Sequence, residues 1–367
     1  MNEIDYTEQD LYYYFLTKLT DFSPEKITEL LSFYGEPGQI FRRTPETLRK
    51  DGLFLTDLEV FSLYSARNRE TLEQELKALK SLNLRFVSKE NPDYPARLLR
   101  TETPPPGLFV KGRLPREDRP SVGIVGSRKC TTYGRESAFF FGKELSKAGV
   151  AVISGMAMGI DGAAGNGALS GEGGSFAVLA GGADVCYPRE NIGLYRLLSE
   201  KGGILSERPA GIPSLPYYFP LRNRIIAGLS DVLLVIEAAP NSGSRITADY
   251  ALKQGKDVFA LPGRVGDRMS EGTNRMIRDG AQILLAPEDV LQYLGMNVHG
   301  DTVRRNKVLL RPEEKLVFTA VTDTDGSVEA LLSHTGFPFS SLSEILVELE
   351  VKGLVKRESI GGYTIVR

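Results

Sequence analysis

The chain has only two cysteines, Cys130 and Cys186, and only two histidines, His299 and His334. No pair among them has metal-ligand spacing, which argues against both a zinc site and a disulfide framework. No apolar run approaches the roughly 20 residues of a membrane helix. The opening "MNEIDYTEQDLYYYF" is acidic and carries no basic, apolar signal-peptide pattern, so a cytoplasmic protein without a membrane role is expected. An excess of positive charge is missing too, with a net charge of −2 and a pI near 6.0. Any nucleic-acid reading must therefore rest on a local basic patch. Three catalytic signatures are also lacking. There is no Walker Gly-x-x-x-x-Gly-Lys-Ser/Thr loop to support ATP hydrolysis, and "GIVGSR" is not the Gly-x-Gly-x-x-Gly fingerprint of a dinucleotide enzyme. Both histidines fall outside the sheet-forming region, so a Ser-His-Asp constellation does not form, and no cofactor is expected.

The 367 residues exceed one ordinary core and predict two or three domains. Residues 8 to about 85 carry only helical signals. "SPEKITELLSFYG" has a Ser23 N-cap candidate, Glu25 in the first turn and Gly35 at the stop, and "TPETLRK", "TDLEVFSLYSARN" and "RETLEQELKALKSLN" follow. Prolines in "NPDYPARLLRTETPPPGLFVKGRLPREDRP" forbid helix over much of that span and favour an extended connection. From 121 to 290 the pattern alternates. "SVGIVG", "VAVISG", "SFAVLAGG", "GILSE", "DVLLVIEA", "DVFALPG" and "QILLA" are short apolar runs suited to strands buried on both faces. Amphipathic segments such as "YGRESAFFFGKELSKAG" and "SRITADYALKQGK" separate them, which predicts a parallel α/β sheet with helices on both sides. The last 55 or so residues read as three helices and a hairpin turning at Gly361-Gly362, a winged-helix arrangement. The expected organisation is a 1–90 helical (SAM/helix-hairpin-helix-like) domain, a 91–295 Rossmann-like domain, a 296–312 linker and a 313–367 winged-helix domain.

Open α/β sheets bind ligands at the carboxyl ends of their strands. Those ends read "GSRK" (126–129), "SGMAMGID" (154–161), "AGGAD" (180–184), "SERPAG" (206–211), "EAAPNSGSR" (237–245) and "LPGR" (261–264). Glycine lets backbone N–H groups approach an oxyanion, and helix N-termini add a favourable dipole. One such loop is an ordinary strand-to-helix turn; six at one sheet edge point to a phosphate-lined site. Arg128, Lys129, Arg222, Arg224, Arg245 and Arg264 lie along that edge, and about a third of them are expected to pair with Glu207, Glu237 or Asp249. "YYFPLRNRIIAGLS" reads as a loop entering a helix, with Arg222 and Arg224 in or beside its first turn. The dipole disfavours cations there unless an anion is bound. Tyr217, Tyr218 and Phe219 stand just before, and arginines beside aromatics suit single-stranded nucleic acid.

"GIVGSR", "SGMAMGIDGAA", "LAGGADVCYP", "SERPAG", "FPLRNRIIAGLSDVLLVIEA", "NSGSRITADYAL", "VFALPG" and "EGTNRMIRDGA" together resemble the DprA/Smf DNA-processing proteins, continuously from about 91 to 290. The resemblance implies a Rossmann-like domain that binds single-stranded DNA as a homodimer and loads the RecA recombinase on incoming strands during natural transformation. By position it implies that Ser127 and Arg128 hold phosphate and that Gly155 and Gly181 allow close backbone approach. Phe219 would stack on a base, Arg222 and Arg224 would supply charge or brace the loop, and Asn241 with Gly243 would contact the strand. Asn223 and Ser242 belong to the same DNA-binding segments. The family usually has leucine at the place of Arg245, which could add a phosphate contact or point into solvent.

A competing class is the nucleotide phosphoribohydrolases of the lysine-decarboxylase-like group, with Pro-Gly-Gly-x-Gly-Thr-x-x-Glu. Here "PNSGSRIT" has Ser244 in place of the threonine and Thr247 in place of the glutamate, so the catalytic carboxylate is missing. In the winged helix, the candidate recognition helix "SSLSEILVELEVKG" carries Glu344, Glu348 and Glu350 against Lys352. Phosphates repel such a helix, which favours protein contact or an accessory role.

Overall fold

The computed structural model describes residues 6–296, 311–352, 354–358 and 362–365. They fall into two compact units divided after Met296. The expected 296–312 linker lies almost wholly outside the described residues.

The first unit is built on one nine-stranded sheet. Its strands are β1 (Arg85–Ser88), β2 (Gly107–Gly112), β3 (Ser121–Val125), β4 (Ala151–Ser154), β5 (Ser175–Val178), β6 (Gly203–Ser206), β7 (Val232–Val235), β8 (Val258–Ala260) and β9 (Gln282–Ile283), in the order β1-β2-β6-β5-β4-β3-β7-β8-β9. The seven strands from β3 to β9 are parallel and coincide with the seven apolar runs. Val122, Ile124, Val152, Ile153, Leu233 and Leu234 are fully buried. Burying each such side chain contributes about 1.5–3 kcal/mol, and that drives a run with no polar alternation to the sheet centre.

Two antiparallel strands extend the sheet beyond β6, pairing β2 with β6 and β1 with β2. The proline-rich connection thus contains a sheet strand, with Phe109 against Ser206 and Val110 against Leu205. Pro104 to Pro106 stop just before the strand and Pro115 follows it, so no ladder hydrogen bond is lost. β1 ends the helical span. Its Ser88 Oγ donates to Asp10 Oδ1 (2.6 Å) and its Phe86 N–H donates to the Tyr6 hydroxyl (3.2 Å), so the N-terminal helices share a compact unit with the sheet. The helix Pro24–Tyr34 starts and stops on the signals the sequence carries. Ser23 accepts from the Lys26 N–H, and Gly35 adopts φ 76° at the end.

The second unit packs helices Pro312–Asp323, Val328–Thr335 and Phe339–Val351 against a hairpin of β10 (Val355–Glu358) and β11 (Gly362–Ile365). Three helices and a wing are present, while the hairpin's turn, residues 359–361, lies outside the described residues. Glu314 is fully buried; it accepts from Lys352 Nζ (2.5 Å) and from the Arg311 N–H (2.8 Å). Those bonds hold its carboxyl down to about 2. A depressed carboxyl contributes stability that is complete above its ordinary pKa and is lost as pH falls through the folded value. Helix Pro312–Asp323 is therefore expected to lose hydrogen-exchange protection as pH drops from about 4.5 towards 2, with a shallower dependence in Glu314→Gln. Identical acid profiles in the two proteins would show that this carboxyl does not anchor the unit.

Candidate nucleic-acid interface

Successive crossovers from β3 build the sheet one way to β6, and from β7 the other way to β9. The reversal lies between β3 and β7, and a crevice opens beyond the carboxyl ends of such a strand pair. A cleft of about 200 Å³ lies there. Gly126 and Arg128 line it from the turn after β3, Ala157 from the turn after β4 and Asp161 from the helix that follows. Phe219, Arg222 and Asn223 come from the helix Tyr218–Leu229, and Ser242, Gly243, Ser244 and Thr247 from the turn and helix after β7.

The helix Gly243–Lys253 begins at the cleft, has Ser242 as its N-cap and has no acidic residue in its first turn. Its positive dipole end is thus open to an anion. Gly243 has nothing within 4 Å of the place a Cβ would occupy, so its backbone is accessible. Asn241 and Arg245 are exposed on the same turn but outside the lining.

Arg128 is exposed, and its guanidinium sits 4.6 Å from the centre of the Phe219 ring. Among the described residues it has no carboxylate within ion-pair distance, so its charge is free. Ser127 is nearly buried: its N–H donates to Glu237 O (2.8 Å) and its Oγ accepts from the Lys129 N–H (3.2 Å). Ser127 therefore shapes the turn that presents Arg128, and it is not part of the lining.

Arg222 and Arg224 differ from the sequence expectation. The helix starts at Tyr218, so both lie beyond its first turn. Pro220 is tolerated as the third helical residue, where its missing N–H would have had no partner. Both arginines are buried. Arg222 Nη1 donates to the carbonyls of Gly155 (3.0 Å) and Val178, and its Nε donates to Asn223 Oδ1 (3.2 Å). Burial pushes this guanidinium down to about 10, against the pull of Asp161, and it stays charged at neutral pH. Arg224 points elsewhere: it pairs with Glu207, donates to Thr103 O (2.7 Å) and does not line the cleft. It braces the fold, in line with the expectation that some of these arginines form structural pairs.

The two glycines expected to admit a backbone ligand have their space filled by the chain itself. A Cβ at Gly155 would stand 2.5 Å from Arg222 Nη2, and one at Gly181 would stand 2.6 Å from Ile212 O. Gly155 makes room for Arg222. Gly181 packs under the 212–214 loop, away from the cleft.

Two lining or neighbouring residues escaped the sequence reading. Asp161 is buried, and burial raises its pKa although Arg222 and the N–H groups of Ala157 and Gly155 pull it down. Its signal was present in "GID", an acid in the first turn of the helix Ile160–Ala168. Tyr187 is 44% exposed, with its ring centre 5.6 Å from that of Phe219. Of the aromatics before the arginines, Tyr218 is buried under Arg208 and Tyr217 remains exposed. Where the phosphoribohydrolase glutamate would stand, Thr247 is buried. Among the described residues there is no cluster of metal ligands, and no helix is long and apolar enough to cross a membrane.

The model of the DNA recombination-mediator protein A family matches residues 85–295. The chain is 36% identical over 328 residues to Protein Smf of Escherichia coli, covering 87% of each. It is similar to the crystal structure of DNA processing protein A from Streptococcus pneumoniae, with a TM-score of 0.67, 32% identity, and coverage of 79% of this chain and 98% of that one. It also matches DNA processing protein A from Helicobacter pylori, whose structure describes a single-stranded DNA binding mode. There the TM-score is 0.52 at 30% identity, covering 57% of this chain and 95% of that one.

Proposed function

Because the chain belongs to the DNA recombination-mediator protein A (DprA/Smf) family, we propose that it binds single-stranded DNA without sequence preference at the β3/β7 cleft. In this reading it acts in the cytoplasm as a homodimer, protects incoming DNA and loads RecA during natural transformation. The observation that carries the binding step is the unpaired Arg128 stacked on Phe219 beside the open N-terminus of the helix Gly243–Lys253. That combination offers charge for phosphate and rings for bases, contacts that carry little sequence information. The acidic third helix of the second unit supports an accessory role for that unit. Glu344 is exposed there, Glu348 is held by Arg311, and Glu350 accepts from the Arg357 N–H (3.3 Å).

Fluorescence-anisotropy titration of single- and double-stranded oligonucleotides across a salt series tests the site. Wild type should prefer single strands, and Arg128→Ala should bind more weakly, with its log–log salt slope reduced by about 0.7 for one lost phosphate contact. Equal, weak binding of both forms would remove the proposal and direct attention to phosphoribohydrolase activity. The dimer is supported by the open sheet edge at β9, where Ile283 is 51% and Leu285 71% exposed. A single-chain mass in sedimentation equilibrium would exclude it. RecA loading predicts faster onset of RecA ATPase on bound oligonucleotide, and an unchanged lag would exclude that step.

A further inference from the structure

We infer that Tyr187 is a second base-stacking residue of the cleft, beside Phe219. The inference rests on the single-strand reading above and adds the loop after β5 to the site.

Phe219 does not offer a free ring. The Arg128 guanidinium covers it at 4.6 Å, and the Arg222 guanidinium lies 6.0 Å from its centre. Arg128 thus shares the Phe219 ring with any base that stacks there. Tyr187 is in ring contact with Phe219 at 5.6 Å, the planes inclined by 56°, and it is 44% exposed. Among the described residues no cation sits over it and its hydroxyl has no hydrogen-bond partner. The Tyr187 ring thus packs at an incline against Phe219 while the residue keeps 44% of its surface open to solvent. A base can stack on it without displacing anything.

The loop that carries Tyr187 is held at both ends. Before it, the Val185 N–H donates to Gly182 O (2.9 Å) and the Tyr195 hydroxyl donates to Ala183 O (2.8 Å). After it, Asn191 Nδ2 donates to the carbonyls of Met156 (2.9 Å) and Ala157 (3.1 Å). Ala157 itself lines the cleft, so the loop is tied to the site before any ligand arrives. Holding the loop in advance reduces the ordering cost of binding.

The test uses the full chain and an oligothymidylate carrying a single 2-aminopurine. Tyr187→Ala should weaken binding on the order of tenfold and relieve part of the 2-aminopurine quenching, with the salt slope unchanged because no charge is lost. Tyr187→Trp should keep wild-type binding and quenching. Tyr187→Leu keeps apolar packing on Phe219 without a π face; it should behave like Tyr187→Ala and covers the case in which the alanine variant misfolds. Wild-type affinity and quenching in Tyr187→Leu would overturn the inference. That result is separable from failure of the site itself, which would show as no single-strand preference in wild type and no slope change in Arg128→Ala.

Discussion

Arg224→Met should lower the melting temperature on the order of 10 °C while leaving the salt slope of oligonucleotide binding at its wild-type value when measured below the melt. The side chains of Arg224 and Glu207 are only 4% and 13% exposed, and the guanidinium also holds Thr103 O at 2.7 Å. Removing one member of such a pair leaves a buried charge without a partner, at a cost of about 3–5 kcal/mol. Glu207→Gln should fall by a similar amount for the mirror-image reason. The double variant Arg224→Met/Glu207→Leu should recover most of the loss, because two apolar side chains of similar volume leave no charge behind. The buried Arg224 Nε, which has no hydrogen-bond partner among the described residues, already shows that this guanidinium is imperfectly satisfied. If Arg224→Met instead kept its melting temperature and lost oligonucleotide affinity, Arg224 would belong to the cleft after all.

The different fates of Arg222 and Arg224 show where sequence patterns stop being informative. Residues two apart on a helix point about 200° apart around its axis. Placed in a loop, the two arginines could share a groove; placed on the helix Tyr218–Leu229, they cannot. What hid the helix start was Pro220, which breaks helices elsewhere and is harmless in a first turn. Strands β3 to β9 were legible because burial on both faces removes polar residues and leaves a continuous apolar run. β2, with the sequence "GLFVKG", is as buried over its first four residues as the central strands, but its proline-rich approach resembled a linker. β1 is four residues long and follows a helical run that masked it.

The site was legible in its loops and less so in its roles. Glycine beside serine or arginine at a strand end marks close approach but does not say what approaches. At Gly155 it is the Arg222 guanidinium, and at Gly181 the chain's own 212–214 loop. Arg128, Phe219, Asn223, Ser242 and Gly243 do converge on one cleft. That convergence needs the β3/β7 reversal, which strand spacing alone does not reveal. Tyr187 lies in the family-like stretch "LAGGADVCYP", but nothing there points to a base until the fold brings its ring against Phe219.

Arg222→Met should be the more damaging change at the site, losing about 3–5 kcal/mol of stability and at least about tenfold in oligonucleotide affinity. The carbonyls of Gly155 and Val178 lose their donor, and Phe219 loses the guanidinium beneath it. The diagnostic consequence concerns Asp161. Burial already holds this carboxyl above its ordinary value, with Arg222 the largest of the forces pulling it back. Without Arg222 its folded pKa rises further, so the folded state retains a proton that the unfolded state releases. Stability then falls as pH rises from the ordinary carboxylate pKa through the folded one. Arg222→Met should therefore melt closest to wild type near pH 4 and progressively lower towards pH 7, on the order of one carboxyl's linkage. Arg222→Met/Asp161→Asn should lose that slope and regain part of the stability at pH 7. Gly155→Ala should give a milder version of the same profile, since its Cβ, 2.5 Å from Nη2, pushes the guanidinium away without removing it. A pH profile parallel to wild type in Arg222→Met would mean that Asp161 is held by the Gly155 and Ala157 N–H groups alone, and that Arg222 serves the cleft only through Phe219.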